Sequence, residues 1–202
     1  MEPIYTSAFR GIGNNVMYIG TNGNIYEASG GDRAWRNNNP GNLEDGNFAR
    51  NHGAIGSDGR FASFPDFDTG LNAMIDLLST DAYQKLTVEG AINRYAPPSE
   101  NNVENYLRSL ESKTGLPRIT PMNNLSRDNL LKLAKAMKAH EGNKAGKKRI
   151  VRKDEKYIWV TTGDEKVRPE HEELDGQVRS WYDDPHPGEE FGCRCYAEPV
   201  DE

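Results

Sequence analysis

The sequence has 202 residues, of which 35% are hydrophobic, and its formal net charge at pH 7 is -6. These values fit a protein of one or two small domains with a modest hydrophobic core. Most of the excess negative charge follows residue 146, and the basic residues of 144–156 are interrupted by acids. Phosphate binding needs clustered Lys and Arg, so we expect no nucleic-acid partner. No apolar run reaches the roughly 18 residues that cross a bilayer, so we also expect no membrane insertion.

The first predicted element is a β-hairpin, because residues 16–19 and 24–28 flank the turn sequence Thr21-Asn22-Gly23. A polar turn with the sequence WRNNNPGNL follows, from Trp35 to Leu43. Asn tolerates left-handed backbone angles, Pro fixes φ, and Gly permits a reversal of the chain. The sequence therefore predicts a rigid turn whose amide groups face outward.

Four amphipathic helices are predicted after this strand-rich start, each with one apolar stripe that we assign to the hydrophobic core. The stripes are Leu71, Met74, Ile75 and Leu78; Val88, Ala91, Ile92 and Tyr95; Val103, Tyr106, Leu107 and Leu110; and Leu130, Leu133, Ala134 and Met137. Capping preferences predict helix starts at Asp68 or Thr69, at Thr87 and at Ser126, and stops at Pro97, Gly115 and Gly142.

Four separated motifs carry a resemblance to a known family. They are RNNNPGN at 36–42, GRFASF at 59–64, APPSEN at 96–101 and HEG at 140–142. With them, the stretch from about Arg33 to Glu141 resembles the lysozyme-like domain of phage structural peptidoglycan hydrolases and of related interbacterial toxins. The resemblance implies an α+β fold, with a mainly helical lysozyme-like domain and a small β-rich lobe over residues 1–145. It also implies a glycoside hydrolase or lytic transglycosylase that acts on peptidoglycan.

A glycosidase needs a carboxylic acid that stays protonated near neutral pH, usually with a second carboxylate or a positioned water. Glu141 is the first candidate, because helical periodicity places it on the face of Leu130 at a helix C-terminus. Burial and the helix dipole would both raise the pKa of such a carboxyl. A solvated helix end, closed by Gly142, is the alternative. Glu27 is the second candidate, since it precedes Ser29-Gly30-Gly31 as in many lytic enzymes, although its surroundings predict an ordinary strand residue.

The substrate groove is predicted from the same motifs. The turn amides would shape the groove, and aromatic rings would stack on sugars, although aromatic residues at such spacings also fill cores. Glu100 precedes a helix, where capping is the alternative role. The predicted substrate-binding residues are Asn37, Asn38, Asn39, Asn42, Phe61, Tyr95, Glu100 and Asn101.

A second set of motifs occupies the tail. They are DEKVRPEH at 164–171, LDG at 174–176, PHPG at 185–188 and CRC at 193–195. This stretch, from about Val160 to Pro199, resembles the C-terminal motif of head-morphogenesis proteins of Mu-like phages. We therefore predict a linker over residues 146–159 and a small C-terminal module over residues 160–202.

The tail also contains four potential metal ligands. His171, His186, Cys193 and Cys195 could form a tetrahedral Cys2His2 site for a structural zinc ion. Two cysteines one residue apart are poorly placed for a mutual disulfide, which favours metal or free thiols. The alternative is that the thiols pack as small apolar groups while the histidines pair with acids. We expect no cofactor for catalysis.

These observations predict a muramidase-type glycosidase that is delivered to a target cell wall as an antibacterial toxin, for example by type VI secretion. The N-terminal residues lack a signal-peptide pattern, so we expect other proteins to secrete or inject the chain into the target periplasm. Such a role implies peptidoglycan as substrate and a cognate immunity protein as partner. The alternative is a non-catalytic glycan-binding or phage-particle structural module with a degenerate lysozyme fold.

Overall fold

The computed structural model describes residues 3–96, 103–142, 144–190 and 192–200, without the side chains of His140 and Glu141. It contains both helices and strands, which confirms the predicted α+β class. The chain divides into two compact units, Met1–Gly70 with Asn143–Glu202, and Leu71–Gly142. None of the described helices is both long and apolar enough to cross a membrane.

The strands are β1 (Tyr5–Arg10), β2 (Val16–Gly20), β3 (Ile25–Ser29), β4 (Gly56–Ser57), β5 (Ala62–Ser63), β6 (Lys147–Ile150), β7 (Lys156–Val160), β8 (Val178–Ser180) and β9 (Tyr196–Pro199). The α-helices are α1 (Arg33–Arg36), α2 (Asn47–Asn51), α3 (Phe67–Leu78), α4 (Asp81–Gln84), α5 (Val88–Tyr95), α6 (Val103–Thr114), α7 (Arg127–Glu141) and α8 (Pro169–Glu172). A short 3-10 helix spans Met122–Asn124.

The first unit contains a six-stranded sheet with the strand order β5-β4-β1-β2-β3-β6. Its centre is the predicted hairpin, in which β2 and β3 pair antiparallel with Val16 opposite Ala28. Gly23 has a φ of 74° in the connecting turn, a conformation that Gly adopts without steric cost. Strand β6 pairs antiparallel with β3, and β4 pairs in parallel with β1. The sheet therefore joins the N-terminal strands to a strand from the C-terminal part of the chain.

Both faces of this sheet are covered, because successive residues of β2 enter different hydrophobic clusters. Met17 packs in one cluster with Trp159 and Trp181. Val16 and Tyr18 pack in a second cluster, beside β1 and β3. This two-sided burial explains why β2 is apolar throughout instead of alternating with polar residues.

A second sheet of the same unit has the strand order β8-β7-β9, with β7 antiparallel to both neighbours. Its apolar residues share one core cluster with Phe9, Met17 and Ile25 of the first sheet. The predicted domain boundaries are therefore wrong. Residues 146–159 contain β6 and most of β7, not a linker, and residues 160–202 share a core with the N-terminal strands. Three short strands bury too few apolar side chains to form a stable core alone.

The second unit is helical, and its predicted apolar stripes are largely confirmed. Val103 and Tyr95 are only partly buried. The buried stripe residues are Leu71, Met74, Ile75, Leu78, Val88, Ala91, Ile92, Tyr106, Leu107, Leu110, Leu130, Leu133, Ala134 and Met137. These residues fill the core of the unit, so none of them is assigned a chemical role.

The predicted caps at Thr87 and Ser126 are also confirmed. Each side-chain oxygen accepts a hydrogen bond, at 3.2 Å, from the backbone N–H three residues further on. The start of α3 differs from the prediction, because the helix begins at Phe67. Asp66 accepts a hydrogen bond from the N–H of Thr69 at 2.7 Å and so caps this helix instead of Asp68.

Candidate functional sites

The polar turn is buried. Asn37 and Asn39 are 0% exposed, and Asn38 is 7% exposed. Asn42 is partly buried. The prediction that these amides face outward is wrong, because backbone groups around residues 62–65 use them as hydrogen-bonding partners. Asn38 and Asn42 have φ values of 49° and 47°, which confirms the left-handed backbone expected for Asn in this turn.

Asn39 shows how the turn uses its amides. Its Nδ2 donates to the carbonyl oxygens of Leu43 and Ala62, at 2.9 and 2.8 Å. Its Oδ1 accepts from the N–H of Leu43 at 2.9 Å. Nδ2 of Asn38 donates to the carbonyl oxygen of Phe64 at 3.0 Å. The turn is therefore a scaffold that fixes β5 and the residues after it.

Asn37 extends this scaffold to the loop between β4 and β5. Its Nδ2 donates to Oδ2 of Asp58 at 2.9 Å. Oδ1 of Asp58 accepts from the backbone N–H groups of Arg60 and Phe61, at 3.1 and 2.8 Å. These bonds fix the loop in one conformation, so its side chains form a preorganised surface.

A cleft of about 250 Å³ opens beside this loop, within the first unit. It is lined by Arg10, Gly13, Asn14, Asn15, Arg33, Arg36, Asp58, Gly59, Arg60 and Phe61. We call it the arginine cleft. Arg33 lies 3.7 Å from Asp58, and Nη1 of Arg36 donates to the carbonyl oxygen of Gly31 at 2.7 Å. With four guanidinium groups and one carboxylate in its lining, the cleft suits an anionic group, because Arg binds carboxylates through paired hydrogen bonds.

Phe61 lines this cleft but does not offer an open ring. The guanidinium carbons of Arg33 and Arg60 lie 4.4 and 4.9 Å from the ring centroid, and Phe61 is only 9% exposed. The predicted stacking of Phe61 on a sugar is therefore not available in this conformation. Sequence reasoning missed the cleft because its arginines lie far apart in the chain and belong to no basic run.

The other predicted substrate residues are Tyr95, Glu100 and Asn101. Tyr95 is partly buried at the end of α5 in the second unit. Glu100 and Asn101 lie outside the described residues. The role of these three residues stays a prediction.

Glu27 lies on β3 with both carboxylate oxygens engaged. Oε1 accepts from Nδ2 of Asn15 at 2.8 Å, and Oε2 accepts from Nε of Arg149 at 2.6 Å. Arg149 also pairs with Glu155 at 2.7 Å. This geometry is that of an ion pair which joins β3 to the β6 strand. Both carboxylate oxygens of Glu27 therefore already have protein partners, and its catalytic role stays a prediction.

Glu141 is the last residue of α7, as predicted, and Gly142 follows it with a φ of 89°. The apolar stripe that precedes it is buried, including Leu133 and Met137, which are both 0% exposed. The side chain of Glu141 lies outside the described part of the structure. Its role as a general acid stays a prediction.

Three of the four predicted metal ligands come together in the first unit. Nδ1 of His171 lies 3.4 Å from Sγ of Cys193 and 3.7 Å from Sγ of Cys195. His171 and Cys195 are buried, and Cys193 is partly buried. Both cysteines are free. We call His171, Cys193 and Cys195 the thiol–imidazole cluster.

His186 does not belong to this cluster, so the predicted Cys2His2 set is wrong. Its Nδ1 lies 2.9 Å from Oε2 of Glu189, and its Nε2 lies 2.8 Å from the carbonyl oxygen of Trp181. Its ring stacks on Phe9, with centroids 4.3 Å apart. Both nitrogens already have protein partners, so His186 is a core residue of the first unit.

The surroundings of the cluster change the pKa of the Cys195 thiol. Burial, with a smaller contribution from the neighbouring Cys193, raises the pKa of Cys195 to about 12. The indole of Trp159 lowers this pKa. The Nε1 of Trp159 is buried and makes no hydrogen bond of regular geometry among the described residues.

The sequence is similar to phage proteins. Residues 101–198 match the family described as Phage Mu protein F like protein. Protein P5 of Pseudoalteromonas phage PM2 is 35% identical over 97 residues, which cover 45% of this chain and 61% of P5. A protein of Haemophilus influenzae, described as uncharacterized, is 45% identical over 49 residues, which cover 22% of this chain and 11% of that protein. The chain thus spans about three fifths of one curated relative and about a tenth of the other.

These similarities support the presence of a phage Mu protein F-like module within residues 101–198. They confirm the resemblance expected for the tail, and the family match begins earlier than expected, at residue 101. The match therefore includes α6 and α7 as well as the thiol–imidazole cluster.

Proposed function

We propose that the chain is a phage-type module that binds the bacterial cell wall, with the arginine cleft as its site for anionic groups of peptidoglycan. The observation that carries the proposal is the rigid cleft with four guanidinium groups. Peptide stems of peptidoglycan carry free carboxylates, and Arg recognises such groups by charge and by paired hydrogen bonds. The resemblance of residues 33–141 to lysozyme-like domains points to the same polymer.

The arrangement of the arginines supports binding by several of them together. Arg33 and Arg60 lie against one ring, that of Phe61, which restricts where their guanidinium groups can lie. Arg60 also pairs with the exposed Glu44 at 3.0 Å. Arg36 is held by backbone carbonyl groups of Gly30 and Gly31. Preorganised cations lose little side-chain entropy on binding, which favours affinity.

Cosedimentation with insoluble peptidoglycan tests this proposal. We expect the wild-type protein to pellet with the polymer, and less so as salt increases, because salt screens charge pairs. The double substitution Arg33→Gln and Arg60→Gln should reduce the bound fraction by about tenfold, which corresponds to about 1.4 kcal/mol. Arg108→Gln is the matched control, since Arg108 pairs with Glu104 on an exposed helix surface of the second unit. Equal binding by all three proteins contradicts the proposal.

A second candidate function is cleavage of the glycan by a lysozyme-like fold, with Glu141 as general acid. It is favoured by the position of Glu141 at the end of α7 and by the same family resemblance. In that case the chain would be a delivered toxin, and its producer would need an immunity protein. Loss of wall clearing on Glu141→Gln, but not on Glu27→Gln, supports cleavage. Binding to the wall without release of sugar ends from it rejects cleavage and leaves the first proposal standing.

A further inference from the structure

The thiol–imidazole cluster has the geometry of a metal site. We propose that Nδ1 of His171 and the thiolates of Cys193 and Cys195 bind one zinc ion. This site is separate from the arginine cleft and does not depend on the proposed function. The described residues hold the three ligand atoms within 4.8 Å of one another.

The distances agree with those of a tetrahedral zinc site. Zinc bonds of about 2.3 Å to sulfur and about 2.05 Å to nitrogen place the two ligand atoms about 3.5 Å apart at a tetrahedral angle. The observed separations between Nδ1 of His171 and the two sulfur atoms are 3.4 and 3.7 Å. The ligands therefore need almost no movement to bind the ion, which keeps the cost of ordering them low.

The chain positions the two sulfur atoms through local backbone geometry. Alternate residues of an extended segment point to the same side, and Cys193-Arg194-Cys195 leads directly into β9. Both thiols thus face His171, whereas the guanidinium of Arg194 pairs with Asp164. The one-residue spacing that departs from the common Cys-x-x-Cys pattern is suitable here because the segment is extended.

A carboxylate lies on the other side of the histidine, beyond hydrogen-bonding distance. Oε2 of Glu190 lies 3.9 Å from Nε2 of His171 and also pairs with Arg168 at 2.8 Å. A carboxylate near Nε2 favours the tautomer that carries its proton there, which leaves the lone pair of Nδ1 directed at the thiols. Metal-binding histidines commonly have such a partner.

The indole of Trp159 supplies a second piece of support. Its N–H is buried beside the Cys195 thiol without a hydrogen bond of regular geometry among the described residues, and its ring lies edge-on to His171 with centroids 5.3 Å apart. A metal-bound thiolate is a better hydrogen-bond acceptor than a neutral thiol. Zinc binding would therefore strengthen the contact between this N–H and Cys195.

A fourth coordination position opens on one side of the cluster. A small cavity of about 10 Å³ lies there, lined by Thr162, Lys166, Val167, Arg168, His171, Cys193, Arg194 and Cys195. This volume is close to the minimum that holds one water molecule, about 10 Å³. Three protein ligands with one water differ from the closed four-ligand set expected from sequence, and they leave the ion accessible to chelators.

Metal analysis of the full chain, purified without chelator, tests the proposal. We expect about one zinc ion per chain, and a cobalt-substituted protein with the sulfur-to-cobalt charge-transfer bands of thiolate ligands. Cys193→Ser, Cys195→Ser and His171→Gln should each reduce the zinc content at least about tenfold. His186→Gln is the control and should retain zinc, because His186 lies outside the cluster.

The cobalt spectrum of the wild-type chain keeps the test decisive even if a cysteine variant fails to fold. Thiolate bands support the site, and their absence at saturating cobalt overturns it. Zinc that survives the double substitution of Cys193 and Cys195 by Ser, in a protein whose circular dichroism is unchanged, also overturns the proposal. Loss of zinc with unaltered binding to peptidoglycan leaves the cell-wall proposal intact.

Discussion

The first unit buries two polar clusters, and they differ in whether their hydrogen-bonding groups already have partners. The three asparagines of the turn are satisfied by the backbone groups of neighbouring segments. In the thiol–imidazole cluster, two thiols converge on one ring nitrogen, and among the described residues the nearby indole N–H of Trp159 makes no hydrogen bond of regular geometry. Burial of polar residues therefore does not by itself mark a binding site. What marks one is a buried polar group that only a ligand can satisfy.

The largest effect is expected for Asn39→Ala. This substitution removes three hydrogen bonds and leaves the N–H of Leu43 and the carbonyl oxygen of Ala62 with fewer partners inside the core. We expect it to lower the free energy of unfolding by about 3 kcal/mol. Urea denaturation measures this, with Asn51→Ala as the control, because Asn51 is exposed at the end of α2. If both variants lose little stability, the turn is not the scaffold described above.

The second-largest loss of stability is expected when zinc is removed. Zinc that binds only the folded chain stabilises it by about 2.7 kcal/mol when free zinc exceeds the Kd by about a hundredfold. A strong chelator should therefore lower the Tm of the wild-type protein, and added zinc should restore it. The Tm of Cys195→Ser should not respond to either reagent. A wild-type Tm that is independent of chelator contradicts zinc binding, whereas the asparagine turn would be unaffected by this result.

A smaller effect is expected for His186→Gln. The ring of His186 makes hydrogen-bond contacts with Glu189 and Trp181 and stacks on Phe9. Loss of these contacts should lower the free energy of unfolding by about 2 kcal/mol. The zinc content should not change. A fall in zinc content in a folded His186→Gln protein would restore the four-ligand set expected from the sequence.

The smallest effect is expected on the pH dependence of the free energy of unfolding. Hydrogen bonding to Arg149 lowers the pKa of Glu155 from 4.5 to about 2. Because the folded pKa lies below the unfolded one, the stabilisation is complete above pH 4.5 and is lost as pH falls toward 2. Glu155→Gln should therefore flatten the loss of stability over this range, as measured by chemical denaturation at several pH values. An identical pH dependence in the variant would show that the ion pair contributes nothing, as for many surface pairs.

Local patterns explain which parts of the fold could be predicted. The helical stripes of the second unit, the caps at Thr87 and Ser126 and the hairpin around Gly23 follow from periodicity and turn chemistry within a few residues. The boundaries of the C-terminal module could not be found in this way. Strand β6 pairs with β3, more than a hundred residues earlier in the chain, and a core cluster of the same unit combines Phe9 with Trp159 and Trp181.

The same distinction between local patterns and long-range packing applies to the candidate sites. The sequence by itself determined that residues 37–42 form a turn with Asn in left-handed positions, that Cys193 and Cys195 do not suit a mutual disulfide, and that the tail is phage-like. Only the tertiary structure decided that the amides point inward, that four arginines share one cleft, and that His171, not His186, meets the thiols. Residue type and local backbone preference determine what a side chain can bond to. Which partner it meets depends on contacts between segments that are distant in sequence, and these are set by the packing of the two sheets.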